Sequence, residues 1–215
     1  MGLFDELMGK LPETVPEIRP DTPHYEAVGR FVTSYATAEA AVHLLARFLS
    51  GLSDEKARIV FGGMRLPDLS DTVRHFMKID NLPQADQAEI DECLRQLILI
   101  GKRRHSLVHR SSHFFLGALT VTNVLTTKSM QAIETELFGV KELSDMQSDC
   151  GVIYLRLDRI SAPKEGEHPF IETLRRRPWR YKYAPPKTPN LKPRAKSAKP
   201  TIRLPSSPEK QKPEK

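Results

Sequence analysis

At 215 residues, 39% hydrophobic and 28% charged, the chain has room for one sizeable domain with material left over. Two cysteines, Cys93 and Cys150, exclude a disulfide framework, and no uninterrupted apolar run approaches a membrane span. The net charge of +6 is unevenly spread: residues 163–215 carry 15 Lys and Arg against 5 Asp and Glu (+10), the rest 18 against 22 (−4). A mildly acidic body with a strongly basic tail points to a polyanion or an acidic surface as the tail's partner. Residues 1–16 lack the basic start and apolar core of a secretory signal, so the expectation is a soluble cytoplasmic protein with no membrane partner.

Residues 1–22 read as a flexible leader, proline-rich, with a short amphipathic patch at Leu3, Phe4, Leu7 and Met8 that could dock a turn or two. From residue 23 to 162 the pattern is that of a helical domain. Val28, Phe31, Val32, Tyr35, Val42, Ala46 and Leu49 repeat at helical spacing, and Gly51 is a natural stop. Glu39 sits in the centre of that stripe, where a carboxylate calls for a cationic partner. Ser53-Asp54 reads as the cap of a second helix to Phe61, closed by Gly62-Gly63. Leu66-Pro67 reads as a break, and Leu69, Val73, Phe76 and Met77 support a third helix. A fourth runs from Gln84 to about Arg110.

The character then changes. Residues 114–127 are rich in β-branched and aromatic side chains and 130–138 alternate weakly, which together suggest a small β-hairpin insertion. Residues 142–160 read as a final helix with Leu143, Met146, Cys150, Ile153, Leu157 and Ile160 on one side. Its second half, Gly151 followed by residues 152–157, could instead be a strand. Residues 163–215 hold 11 of the 17 prolines and read as a disordered basic tail. The expected architecture is mainly α, a four- to five-helix up-and-down bundle with that hairpin and tail.

The fourth helix carries the chemistry. On a helical wheel Ile90, Leu94, Leu97, Ile98, Gly101 and Val108 form one apolar stripe, and its last two turns receive Arg104, His105 and His109. Charged and titratable groups on a core-facing stripe are costly unless paired or used. Histidine can move protons near neutral pH, and arginine offers a rigid fork of donors for a phosphate. Arg104 and His109 are five residues apart, about 140° in azimuth on an ideal helix, so for one phosphate to meet both, the helix end must distort or a second copy of the chain must contribute. Glu39 is the natural residue to orient Arg104 or His105.

Arg104-His105-Ser106-Leu107-Val108-His109 has the form arginine, polar residue, three more, histidine. In this the chain resembles the HEPN superfamily, whose helical domains carry an R-x4–6-H motif late in a long helix, often with Asn, His or Asp directly after the arginine. The resemblance covers residues 24–160 and leaves the tail out. It implies a metal-independent endoribonuclease of toxin or defence type, with no cofactor. It also implies a homodimer in which two motifs face each other, attack by the ribose 2′-OH, and a cyclic phosphate product. Arg104, His109, His105 and Glu39 would be its catalytic set, and an antitoxin or regulatory protein a candidate partner. The alternative is a non-catalytic helical dimerisation module that keeps these residues for structure.

RNA contacts are expected from Arg103 and Arg110 beside the motif, although basic residues at a helix C-terminus are also favoured by the dipole alone. In the tail, Arg175, Arg176, Arg177, Trp179, Arg180 and Tyr181 interleave cations with aromatics, a combination suited to phosphate neutralisation and base stacking; the alternative is a solvated charged tail, or one that docks on the acidic body of its own or another chain. His105 and His109 are also an i, i+4 pair with His113 nearby, but no HExxH glutamate or fourth ligand accompanies them, and no metal is expected.

Overall fold

The helix from Thr22 to Ser50 (α1) is the element on which the others pack. The computed structural model describes residues 22–115, 118–161 and 169–183, so the leader and most of the basic tail lie outside the described residues. Phe31, Tyr35, Ala38, Val42, Leu45 and Leu49 recur at spacings of three and four and are all buried, which makes one continuous face. Gly51, with φ of +63°, ends α1 in the left-handed conformation that side chains resist.

Three helices follow: α2 (Asp54–Phe61), α3 (Leu66–Ile79) and α4 (Gln84–His109). Ser53 stands at the N-cap of α2 but its hydroxyl makes no capping bond; Asp54 and Glu55 instead place negative charge in the first turn. Leu66-Pro67, expected as a break, opens α3, because proline in a first turn gives up an N–H that would have no partner there. Asn81, with φ of 49°, turns the chain between α3 and α4.

The expected hairpin is a three-stranded antiparallel sheet in the order β1 (Ser111–Phe115), β2 (Ala118–Thr122), β3 (Thr135–Phe138). Residues 114–127 do not form one strand. They take in the end of β1 and all of β2, paired so that Ser111 faces Thr122, and Leu119 in turn faces Phe138 of β3. Asn123 closes the loop before β3, donating to the Ala132 carbonyl at 3.1 Å and accepting from the Glu134 N–H at 2.8 Å.

The last long helix, α5, runs unbroken from Val140 to Ser161, so residues 152–157 are helix and not strand. Leu143, Met146, Cys150, Ile153, Leu157 and Ile160 are buried, and α5 makes with α1 the most extensive contact in the bundle. The proline-rich composition beyond α5 does not specify the elements that follow. Pro169–Arg175 forms a sixth helix, α6, and residues 176–183 continue as a strap lying on the bundle. The folded body therefore extends to residue 183 instead of ending at 162. No described helix is long and apolar enough to cross a membrane.

Candidate functional site at the C-terminal end of α4

The buried face of α4 differs from the expected stripe. It runs through Ile90, Cys93, Leu97, Ile100, Arg103 and Leu107, while Val108 is 45% exposed. The wheel is turned toward the sheet and α5, and that turn brings Arg103 inside in place of Arg104. Arg103 binds the carboxylate of Glu136 on β3, donates to the Leu137 carbonyl at 3.0 Å and to Glu142 at 2.8 Å, and lies 4.0 Å over the Phe138 ring. Ser106 donates to the same Glu136 carboxylate at 2.8 Å, and Arg110 reaches Glu136 and Glu134 at 3.0 Å each. Residues i, i+3 and i+7 of the helix thus converge on one nearly buried carboxylate of the sheet. Arg103 and Arg110, expected as RNA contacts, are structural ties: an enclosed Glu136 needs cations, and these are the ones in reach.

Arg104, His105 and His109 are left outside that cluster. His105 and His109 are exposed, their rings side by side with centroids 4.7 Å apart. Arg104 is half-buried and leans toward α1, its guanidinium carbon 5.7 Å from the centre of the Tyr35 ring. Its Nε is buried without a hydrogen-bond partner. Among the described residues no ion pair joins Arg104 to Glu39 or to any other carboxylate, so the expected Glu39 contact is not made. Tyr35, one turn from Glu39 along α1, is what Arg104 meets. Burial raises the Tyr35 pKa most; Glu39 raises it further and Arg104 lowers it, so both charges act on the same phenol. No group of three or more His, Cys, Asp and Glu side chains among the described residues could hold a metal.

The tail motif has a different fate. Arg156 of α5 is 1% exposed; its guanidinium donates from Nε to the Leu174 carbonyl at 3.1 Å and from Nη2 to that of Arg175 at 2.6 Å, and lies 4.6 Å from the centre of the Trp179 ring. Asp149 accepts the backbone N–H groups of Arg180 at 3.0 Å and Tyr181 at 2.9 Å, while Gln96 bridges Asp149 and the Tyr181 carbonyl. Arg175 pairs with Asp86 and the buried Glu89, and Arg177 donates to Ser148. Arg175, Arg177, Trp179 and Tyr181 are therefore internal contacts of the strap instead of a stacking platform. Arg176 is exposed beside Glu172, and Arg180 is exposed.

Two features were within reach of sequence reasoning and missed. Arg103 and Ser106 share a face of α4 and Arg110 follows directly at its end, which marks a second polar group distinct from Arg104. Tyr35 belongs to the apolar stripe of α1 and lies one turn before Glu39, which is the signal that sets it apart from plain core. Comparison with family models, with curated proteins and with solved structures gives no match.

Proposed function

We propose that the exposed end of α4 is half of an RNA-cleaving site, completed by a second copy of the chain. One observation carries this reading. Of the four arginine and histidine side chains between residues 103 and 109, Arg103 is committed to Glu136 and Glu142. Arg104, His105 and His109 make no ion pair among the described residues and reach the surface. The uncommitted three are the residues of the R-x4–6-H pattern.

In this reading His109 takes the proton of a ribose 2′-OH as that oxygen attacks the adjacent phosphorus. The P–O5′ bond breaks, the 5′ oxygen takes up a proton, and a 2′,3′-cyclic phosphate remains. No electrons are transferred. Arg104 stabilises the phosphate charge that grows in the transition state, and His105, whose ring lies tilted beside that of His109, orients it. Arg104 leans to α1 while His109 faces outward, so a homodimer is part of the proposal: each phosphate would draw on both chains.

The test is cleavage of a labelled single-stranded RNA in the presence of chelator, comparing wild type with His109→Ala and Arg104→Ala. The expected result is cleavage by wild type with a cyclic phosphate end, a loss on the order of 100-fold or more in each variant, and no effect of chelator. Equal cleavage by His109→Ala would remove the mechanism. Absence of any RNA binding, with Arg104→Ala abolishing dimerisation, would favour an interaction module instead.

A further inference from the structure

Among the described residues Arg104 makes no ion pair and its buried Nε has no hydrogen-bond partner. What it does have is the face of Tyr35 at 5.7 Å, inside the roughly 6 Å range over which a guanidinium is drawn to an aromatic ring. Tyr35 is itself held rigidly: it is 5% exposed, and its ring sits edge-on to Phe31 with centroids 6.5 Å apart. Its hydroxyl passes over Gly101, about one helical turn before Arg104. A Cβ at Gly101 would lie 2.7 Å from the phenol oxygen and 3.4 Å from the ring carbon that bears it. The ring thus passes α4 at a point where the helix has no side chain.

We infer that Tyr35 is a positioning residue for Arg104, its ring forming the floor on which the guanidinium rests, and that Gly101 is the gap that admits it. The consequence for activity rests on the ribonuclease reading above; the contact itself does not. A planar cation laid on a ring loses little freedom when it meets a phosphate, because its orientation is set beforehand.

The experiment uses the full chain and three variants. Tyr35→Phe keeps the ring, Tyr35→Leu removes it, and Gly101→Ala displaces it. The side-chain Nε–H resonance of Arg104, assigned by its loss in Arg104→Lys, is the readout that needs no activity. It is expected at a ring-shifted position in wild type and Tyr35→Phe, and at the position of an ordinary solvated arginine in Tyr35→Leu. RNA cleavage is expected within about twofold of wild type in Tyr35→Phe. In Tyr35→Leu and Gly101→Ala kcat should fall about 10- to 100-fold with little change in KM, as for a displaced catalytic group. Thermal midpoints establish that each variant is folded, and Gly101→Ala replaces Tyr35→Leu if the latter is not. A resonance that stays at its wild-type position in Tyr35→Leu or Gly101→Ala overturns the inference. If wild type cleaves no RNA, the ribonuclease reading fails while the resonance still decides the contact.

Discussion

Glu136 is the residue on which the last turns of α4 are pinned. It takes donors from Arg103, Ser106 and Arg110, and its side chain is only 10% exposed. Glu136→Gln leaves the charge of Arg103 enclosed with Glu142 as its remaining carboxylate. The expected cost is about 3 kcal/mol, the lower end for breaking a buried pair, read as a drop in urea midpoint with unchanged slope. Nothing in residues 103–110 alone says which arginine turns inward. The choice belongs to β3, whose Glu136 comes 26 residues after Arg110 and delivers its carboxylate to one side of the helix. The two thiols are simpler. Burial pushes Cys93 and Cys150 up to about 12, so a thiol reagent at mildly alkaline pH is expected to label neither in the native protein and both after denaturation.

The strap is the element that composition concealed. Its prolines and arginines resemble a solvated tail, yet Arg156 and Asp149 wait for it on α5, on the far side of the residues that join the two. Arg156→Ala leaves the carbonyls of Leu174 and Arg175 without their donor and the Trp179 ring without its cation. The expected outcome is a red shift in emission from Trp179, the chain's single tryptophan, and a stability loss of about 3 kcal/mol. Asp149 adds a pH dependence. Burial holds its carboxyl above the ordinary 3.8, outweighing the Arg180 and Tyr181 N–H groups and Gln96, which lower it. A raised folded value means that its contribution is full below pH 3.8 and is lost as pH rises through the folded value. The stability gap between wild type and Asp149→Asn is therefore expected to be widest at the acid end and to narrow as pH rises, followed as thermal midpoints. The helix α1 and the first half of α5 were legible for the opposite reason: their apolar residues recur within a turn of one another, so the pattern needs no distant partner to be read.

At the scale of the whole molecule, folding of the strap redraws the charge map. Residues 184–215 carry 9 Lys and Arg against 2 Glu (+7), and residues 1–183 carry 24 against 25 (−1). If the basic tail binds RNA, its cations beyond residue 183 supply the affinity. Truncation after Tyr183 is expected to weaken RNA binding and to flatten its salt dependence by about 0.7 log units for each phosphate no longer neutralised, while leaving cleavage at saturating RNA unchanged. A salt slope unaffected by truncation would remove the tail from RNA binding.

Much of the local order was determined by the sequence itself: α1 and its apolar stripe, the positions of α2 to α4, the first half of α5, the stop at Gly51 and the polar pattern at the end of α4 follow from spacings of three, four and seven residues, whereas the face that the end of α4 buries does not. The strands were legible as a region but not as a sheet, because pairing depends on a turn and a register that β-branched composition does not encode. Tertiary structure alone decided that Arg103 is enclosed with Glu136 and Arg104 only half-buried, that Arg104 faces the Tyr35 ring and makes no ion pair with Glu39, and that the aromatic and basic start of the apparent RNA-binding tail is a strap. Each of those choices is a competition among similar side chains for one distant carboxylate, ring or carbonyl. Periodicity shows which groups share a face; only packing shows which of them finds the partner.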